Sequence, residues 1–321
     1  IVGIDLWGVD TRYMGEERYS AQQVEQSIPT YPFDQFIKQQ QREAGGLGRF
    51  SVLSLVEGDP TSTARPSFHY ENVGGYHGAK LQRYQDYLDH ILQVTGRGGP
   101  SENALDLMNT RYIAARQQLP STEVAYRSSQ SGVLVLENTD AVPRGFLVGQ
   151  TEVVEAAEQT WARLRSSSLD PRRTALLPEP LDAPVTPIDS SSIAEVDLGS
   201  YAPEEIRWTV NTDAPRLFVA SEVYYPAGWN AYLDGERVPI RRVDYLLRGV
   251  HVPEGEHTLV MRFEPSAARY GRWIAGTRTV LVYGGVLTLV GLRARRRWGD
   301  AAATDDAGSD ALRRACQMPT I

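Results

Sequence analysis

A stretch near the C-terminus constrains this chain more than any other. Residues 279–292 carry no charge, and the apolar run reaches back to Ile274 with Arg278 as its only charged member. A helix that crosses a bilayer needs roughly 20 mostly apolar residues. The segment meets that length if Arg278 lies near one end and lifts its guanidinium to the headgroups. Arg293, Arg295, Arg296 and Arg297 follow at once, and basic residues beside a span stay on the cytoplasmic side. Tyr270, Trp273 and Trp298 suit the two interfaces as aromatic anchors. The pattern predicts one transmembrane helix over 273–292, an extracytoplasmic region over 1–272 and a cytoplasmic tail over 293–321. The charge-free core is short, so a buried helix of a soluble domain is the alternative.

The 321 residues leave room for two domains and a tail. Net charge is −7 with both signs mixed along the chain. A nucleic-acid binder would show a basic face, so nucleic acid is not an expected partner. Cys316 is the only cysteine, which excludes an internal disulfide and a thiolate metal cluster. No cofactor motif is present, and no metal site is expected. The start has neither an initiating Met nor a basic n-region, so the sequence reads as the C-terminal portion of something longer.

Residues 1–7 are an apolar run suited to a buried strand, and 18–27 suit a short polar helix. A helix is expected over 35–42 with Asp34 as its cap, then a strand over 49–56. The segment from Arg65 to Tyr84 sets His69, Tyr70, Tyr76, His77, Lys80 and Arg83 around Gly74, Gly75 and Gly78. Residues 79–94 are helical by pattern, with Leu81, Tyr84 and Leu88 inward. The glycines would then lie at a helix N-terminus, where backbone N–H groups can hold an anion. The candidate substrate-binding set is therefore Gly74, Gly75, Tyr76, His77, Lys80 and Arg83, for a phosphate or sugar hydroxyls. The plainer reading is a tight turn whose rings pack on the domain. His69 and His77 lack an acidic third ligand at a metal spacing.

A short helix over 103–108, a strand over 110–115, a hairpin of 132–137 with 144–149 and a helix over 152–164 complete the first part. Residues 169–194 are rich in proline and serine and read as a linker. Six strands are expected after it, over 204–210, 216–222, 229–233, 238–243, 247–252 and 257–263, with a tight turn at Asp234-Gly235. The fold class is thus α+β: a mixed α/β domain over 1–168, a small antiparallel β-sandwich over 195–268 and the C-terminal transmembrane helix. The tail from Asp300 is expected to be disordered.

Several phrases together resemble the YfhO family of bacterial membrane proteins. They are Asp5-Leu-Trp-Gly-Val-Asp10, Gly74-Gly-Tyr-His-Gly-Ala-Lys-Leu-Gln-Arg-Tyr-Gln-Asp86, Leu107-Met-Asn-Thr-Arg-Tyr112, Tyr224-Tyr-Pro-Ala-Gly-Trp-Asn-Ala-Tyr-Leu-Asp-Gly235 and Tyr245-Leu-Leu-Arg-Gly-Val-His-Val-Pro253. The resemblance covers nearly all of the chain except the tail. It implies the outer portion and last span of a multi-pass protein similar to GT-C glycosyltransferases, which use polyprenyl-phosphate-linked sugars to modify cell-envelope glycans. In such enzymes the catalytic acid lies on an early outer loop, so no catalytic residue is carried over to this chain.

Two functions from different classes follow. One is the outer part of a lipid-linked sugar transferase, whose partners are the bilayer, the polyprenyl-phosphate sugar and a glycan acceptor. The other is a membrane-tethered module that binds a glycan or a partner without chemistry. Tyr224, Trp229 and Tyr232 could stack on sugars, or simply fill the sandwich core. A soluble hydrolase lacks a Gly-x-Ser-x-Gly elbow here, and the acidic pair Asp5 and Asp10 has no further support.

Overall fold

The computed structural model describes residues 8–9, 11, 28–45, 50–90 and 100–315. The strand expected over 1–7, the helix over 18–27 and the pair Asp5 and Asp10 lie outside these residues. The chain forms two compact units, Ile1–Phe263 and Glu264–Ile321.

In the first unit, helix α1 (Pro32–Glu43) starts ahead of the expected cap. Proline suits the first helical turn because its N–H would be unsatisfied there anyway. Asp34 therefore sits inside the first turn and accepts the Tyr31 N–H at 2.8 Å. The first sheet contains β1 (Ser51–Ser54), β2 (Thr110–Ala115), β3 (Glu123–Arg127) and β4 (Leu134–Glu137) in the order β1-β2-β4-β3. β1 runs parallel to β2, and the other pairs are antiparallel. Alternation along β2 serves two cores. Tyr112 and Ala114 join Phe33, Ile37 and Phe50, whereas Ile113 and Ala115 join a larger core with Tyr87 and Leu107. The latter come from α2 (Gln82–His90) and α3 (Glu102–Leu107).

The hairpin expected between 132–137 and 144–149 does not form. β5 (Gly145–Val148) pairs instead with β10 (Arg216–Val223). The reason is topological: β4 already lies between β2 and β3 and has no free edge. The helix expected from 152 is also shorter. β6 (Gln150–Val153) takes the first residues into a parallel pair with β7 (Thr174–Leu177), and α4 (Ala157–Leu164) crosses between them. Thr160 and Leu164 of α4 are buried, but Val153 is exposed.

β7 lies within the segment read as a linker, and Leu169, Ala175, Leu176 and Leu177 are buried in the larger core. Beyond it, the Thr186 N–H donates to Pro215 O at 2.8 Å. Residues 169–194 are thus built into the fold. The prolines delimit a buried strand here, because Pro178 follows it directly and cannot extend the ladder.

The sandwich packs two antiparallel sheets. One has β8 (Ala194–Tyr201), β9 (Glu205–Thr212), β11 (Trp229–Leu233), β12 (Glu236–Val238) and β15 (Gly255–Phe263), ordered β12-β11-β15-β9-β8. The other orders β13 (Arg241–Val243) and β14 (Leu247–Val252) with two strands already named, as β13-β14-β10-β5. Ile206, Trp208, Val210, Leu259 and Met261 meet Phe218, Ala220, Val250, Val252 and Leu147 between them. Asp234 and Gly235 both have positive φ, 52° and 88°, as the tight turn between β11 and β12 requires.

The second of these sheets is buried on both faces. Leu217 and Val219 of β10 face the larger core, and Phe218 and Ala220 face the sandwich core. β10 is accordingly apolar without alternation. The boundary expected at 169–194 therefore does not separate 1–168 from 195–268, since one sheet serves both. The fold class remains α+β with an antiparallel sandwich.

The second unit is helix α5 (Ser266–Ala315), 50 residues long. Its stretch Tyr270–Arg293, with a mean hydropathy of 1.4, is long and apolar enough to cross a membrane, and none of it is buried within the chain. Trp273, Leu281 and Leu287 are all exposed on it. The helix continues to Ala315, through residues expected to be disordered. Alanines at 301–303, 307 and 311 favour helix there.

Candidate functional site

Gly74 and Gly75 serve packing, whereas Gly78 has open space around it. The Gly75 N–H donates to Pro60 O at 2.7 Å, so that donor is used. A Cβ on Gly74 would stand 2.3 Å from the same oxygen, and Gly75 has φ +105°. Helix α2 begins only at Gln82, not at Ala79, so the glycines do not lie at its N-terminus. Tyr76 and His77 are exposed and Lys80 is half-buried. The His77 Nδ1 accepts the Ala79 N–H at 3.1 Å. Leu81, expected inward, is exposed, and Tyr87 fills the core in its place. His69 lies apart from His77, between Lys38 Nζ at 2.9 Å and Pro29 O at 3.2 Å. Among the described residues, no group of three His, Cys, Asp or Glu side chains could hold a metal ion.

Arg83 is the one member of the set that meets other candidate residues. Its guanidinium lies 6.0 Å from the Tyr224 ring and 5.7 Å from the Tyr245 ring. The Tyr245 hydroxyl donates to Asp86 at 2.9 Å. Burial, then Asp86, raises the Tyr245 pKa. Arg242 approaches the same ring, at 6.0 Å. Burial lowers the Arg242 pKa, and the nearby charge of Arg83 lowers it further.

Tyr224 also lines a cavity of about 340 Å³ with Tyr225, Trp229, Arg237, Ile240 and Arg248. Tyr224 and Trp229 are half-buried and Tyr225 is exposed. Trp229 thus packs on the sandwich core with one side and borders the cavity with the other. Tyr232 is also half-buried, beside Arg262. Arg248 stands on β14 with its guanidinium 3.9 Å from the Trp229 ring centroid. It is only 4% exposed. Its Nε donates to Val223 O at 2.9 Å, whereas its buried Nη1 has no partner among the described residues. Burial lowers its pKa to about 10, with Glu222 and Tyr201 pulling the other way.

The contrast with the other buried arginines is informative. Arg216 bonds Thr212, Thr186 and Asp213. Arg144 pairs with Glu71 and Glu222. A buried cation that forms no ion pair is expensive, and the Trp229 face offsets about 2 kcal/mol of that. Of the buried arginines among the described residues, Arg248 alone forms no ion pair, which makes it a candidate anion acceptor. Sequence reasoning overlooked it, although an arginine between Leu247 and Gly249 in an apolar strand was a visible signal.

A second cavity, of about 400 Å³, is lined by Asp106, Asp140, Asp170 and Arg172. Burial raises the Asp106 pKa to about 6. The cavity's carboxylates are already engaged: Asp106 with Asn138, Asp140 with Arg172, Asp170 with Arg173 and Glu102 with Ser121. The Arg248 cavity is the candidate site because it holds a buried guanidinium nitrogen with no partner among the described residues.

Three phrases far apart in sequence, 74–86, 224–235 and 245–253, supply this site and its surroundings. Compared with protein-family models, with curated proteins and with solved structures, the chain matches none.

Proposed function

We propose that this chain is the outer, glycan-holding part of a membrane-anchored cell-envelope protein. The protein resembles the YfhO family and GT-C glycosyltransferases, and the proposed reaction passes a sugar from a polyprenyl phosphate to an envelope glycan. The observation that carries the reading is the meeting of Arg83, Tyr224 and Tyr245 beside the Trp229–Arg248 cavity. Those residues come from three of the phrases on which the resemblance rests. Aromatic faces bordering a groove suit sugar rings, because a half-exposed ring offers apolar area at little entropy loss. The apolar helix α5 supports membrane anchoring. The arginines after it support a cytoplasmic tail and an outer position for the folded unit.

A tethered binding module without transfer activity is the second reading. The groove favours it in one respect: rings and guanidinium groups hold a ligand, and bond-making needs a base besides.

The test uses the whole chain in nanodiscs, titrated with envelope-derived oligosaccharides and followed by saturation-transfer NMR. Saturation from aromatic protons should reach the sugar, and Trp229→Ala should remove it while the fold persists. No transfer from the wild-type chain would sink the glycan reading. Topology is checked in intact cells with an impermeant thiol reagent. A cysteine replacing exposed Ser191 should be labelled, and Cys316 should not. The reverse pattern would overturn the outer placement.

A further inference from the structure

Four arginines stand in and beside the groove. Arg237 and Arg248 line the cavity, whose lining holds no acidic residue, and Glu222, which acts on Arg248 from outside it, is already paired with Arg144. Arg237, which is exposed, bonds Asn230 at 2.6 Å and forms no ion pair among the described residues. Arg83, 6.0 Å from the Tyr224 ring, shares the Tyr245 ring with Arg242, and Arg242 and Tyr245 border a separate small cavity. Neither arginine forms an ion pair among the described residues, and the buried Arg83 Nη1 has no partner. Asp86, beside Tyr245, already accepts from Tyr245 and Gln82, and Glu179 acts on Arg242 only through its charge. Aromatic rings alternate with these cations: Trp229 under Arg248, Tyr224 at the cavity wall and beside Arg83, then Tyr245 between Arg83 and Arg242. A single small anion would use one end of such a row. A strand of sugars with an acidic group on successive units would use all of it, rings against rings and anions against guanidinium forks.

We propose that the groove takes an anionic saccharide strand, with its acidic groups on Arg248 and on the Arg83–Arg242 pair. This rests on the glycan-holding reading and narrows it. Carboxylate and phosphate groups satisfy the same donors, so the shared requirement is repeated negative charge on a sugar backbone.

Calorimetry on the whole chain in neutral-lipid nanodiscs tests this. The probes are tetragalacturonate, a phosphodiester-linked mannan fragment, neutral maltotetraose, inorganic phosphate and phosphatidylglycerol vesicles. At least one acidic oligosaccharide should bind about tenfold or more tighter than maltotetraose, and added salt should weaken it. The two acidic probes distinguish carboxylate from phosphate as the preferred group. Arg248→Met, which keeps the stem and removes the charge, should erase the preference for acid without lowering the melting temperature. If that variant does not fold, the half-buried Arg242→Gln serves instead and should reduce the preference.

Equal affinity for the acidic and neutral chains would overturn this inference and leave the glycan reading standing. Binding of none of the saccharides would overturn both. Inorganic phosphate binding as tightly as the oligosaccharides would reduce the groove to a simple anion site and overturn the strand. Vesicle binding lost in Arg248→Met, with no saccharide bound, would assign the arginines to lipid headgroups instead.

Discussion

Replacing Asp244 with Asn removes a carboxylate that the fold buries. Asp244 is 1% exposed and sits in left-handed backbone, φ 48°, between β13 and β14. Its N–H donates to Leu176 O at 2.9 Å, and its Oδ1 accepts the Leu176 N–H at 2.8 Å. Its Oδ2 is buried without a partner among the described residues. Burial raises the pKa from 3.8 to about 7, with the Leu176 bond opposing. The folded state then holds the proton more tightly than the unfolded chain, so stability falls as pH rises from the unfolded value to the folded one. At roughly 1.4 kcal/mol per unit the whole effect is about 4 kcal/mol, of which about 3 lies between pH 5 and pH 8. Asn keeps the oxygen that accepts from Leu176, tolerates left-handed backbone and never ionises. Urea unfolding of the first unit, followed by tryptophan fluorescence in the whole chain, measures the difference across that range. Asp106 contributes with the same sign, since burial raises it too. His69, lowered mainly by burial, contributes with the opposite sign. Both cancel when wild type and Asp244→Asn are compared. The variant should gain on the wild type by about 3 kcal/mol between pH 5 and pH 8. Parallel pH profiles for the two proteins would refute the argument.

Three further outcomes are expected. Gly145→Ala places a Cβ 2.7 Å from Trp208 Nε1 and 2.8 Å from Phe218 Cζ. It should destabilise the unit by about 1–3 kcal/mol in the same urea assay, and a loss below about 0.5 would contradict the close approach. Arg65→Ala leaves the fully buried Asp34 without its cation. That should cost about 3–5 kcal/mol, and the pair Arg65→Met with Asp34→Asn should recover most of it. Leu287→Arg near the middle of the apolar stretch should raise the insertion free energy by about 3 kcal/mol. Carbonate extraction of membranes reads this, and unchanged retention of the variant would argue against a span.

The alternation of Ile206, Trp208 and Val210 and of Leu259 and Met261 made the sandwich legible, because one-sided burial imposes a period of two. β5 and β7 were not legible as they stand. A four-residue apolar run such as Gly145–Val148 says that it is buried, not which edge it joins. β7 was concealed by the prolines on either side of it. In the candidate site, Arg83 was singled out for a helix-terminus reason that the structure does not support, yet it stands beside Tyr224 and Tyr245. Arg248 was passed over because an arginine among strand residues does not reveal whether it is paired. Only the neighbours brought by folding distinguish it from Arg216 and Arg144.

The pairing of β5 with β10 also governs how this protein can be cut. A fragment beginning at residue 195 would keep most of the sandwich, but β10 would lose the partner that covers Leu217, Phe218, Val219 and Ala220. Four adjacent apolar residues with free backbone groups make a template for adding another chain. Such a fragment should form exchanged dimers or fibrils, whereas one that keeps β5 together with the residues of the larger core carries its own protection and stays monodisperse.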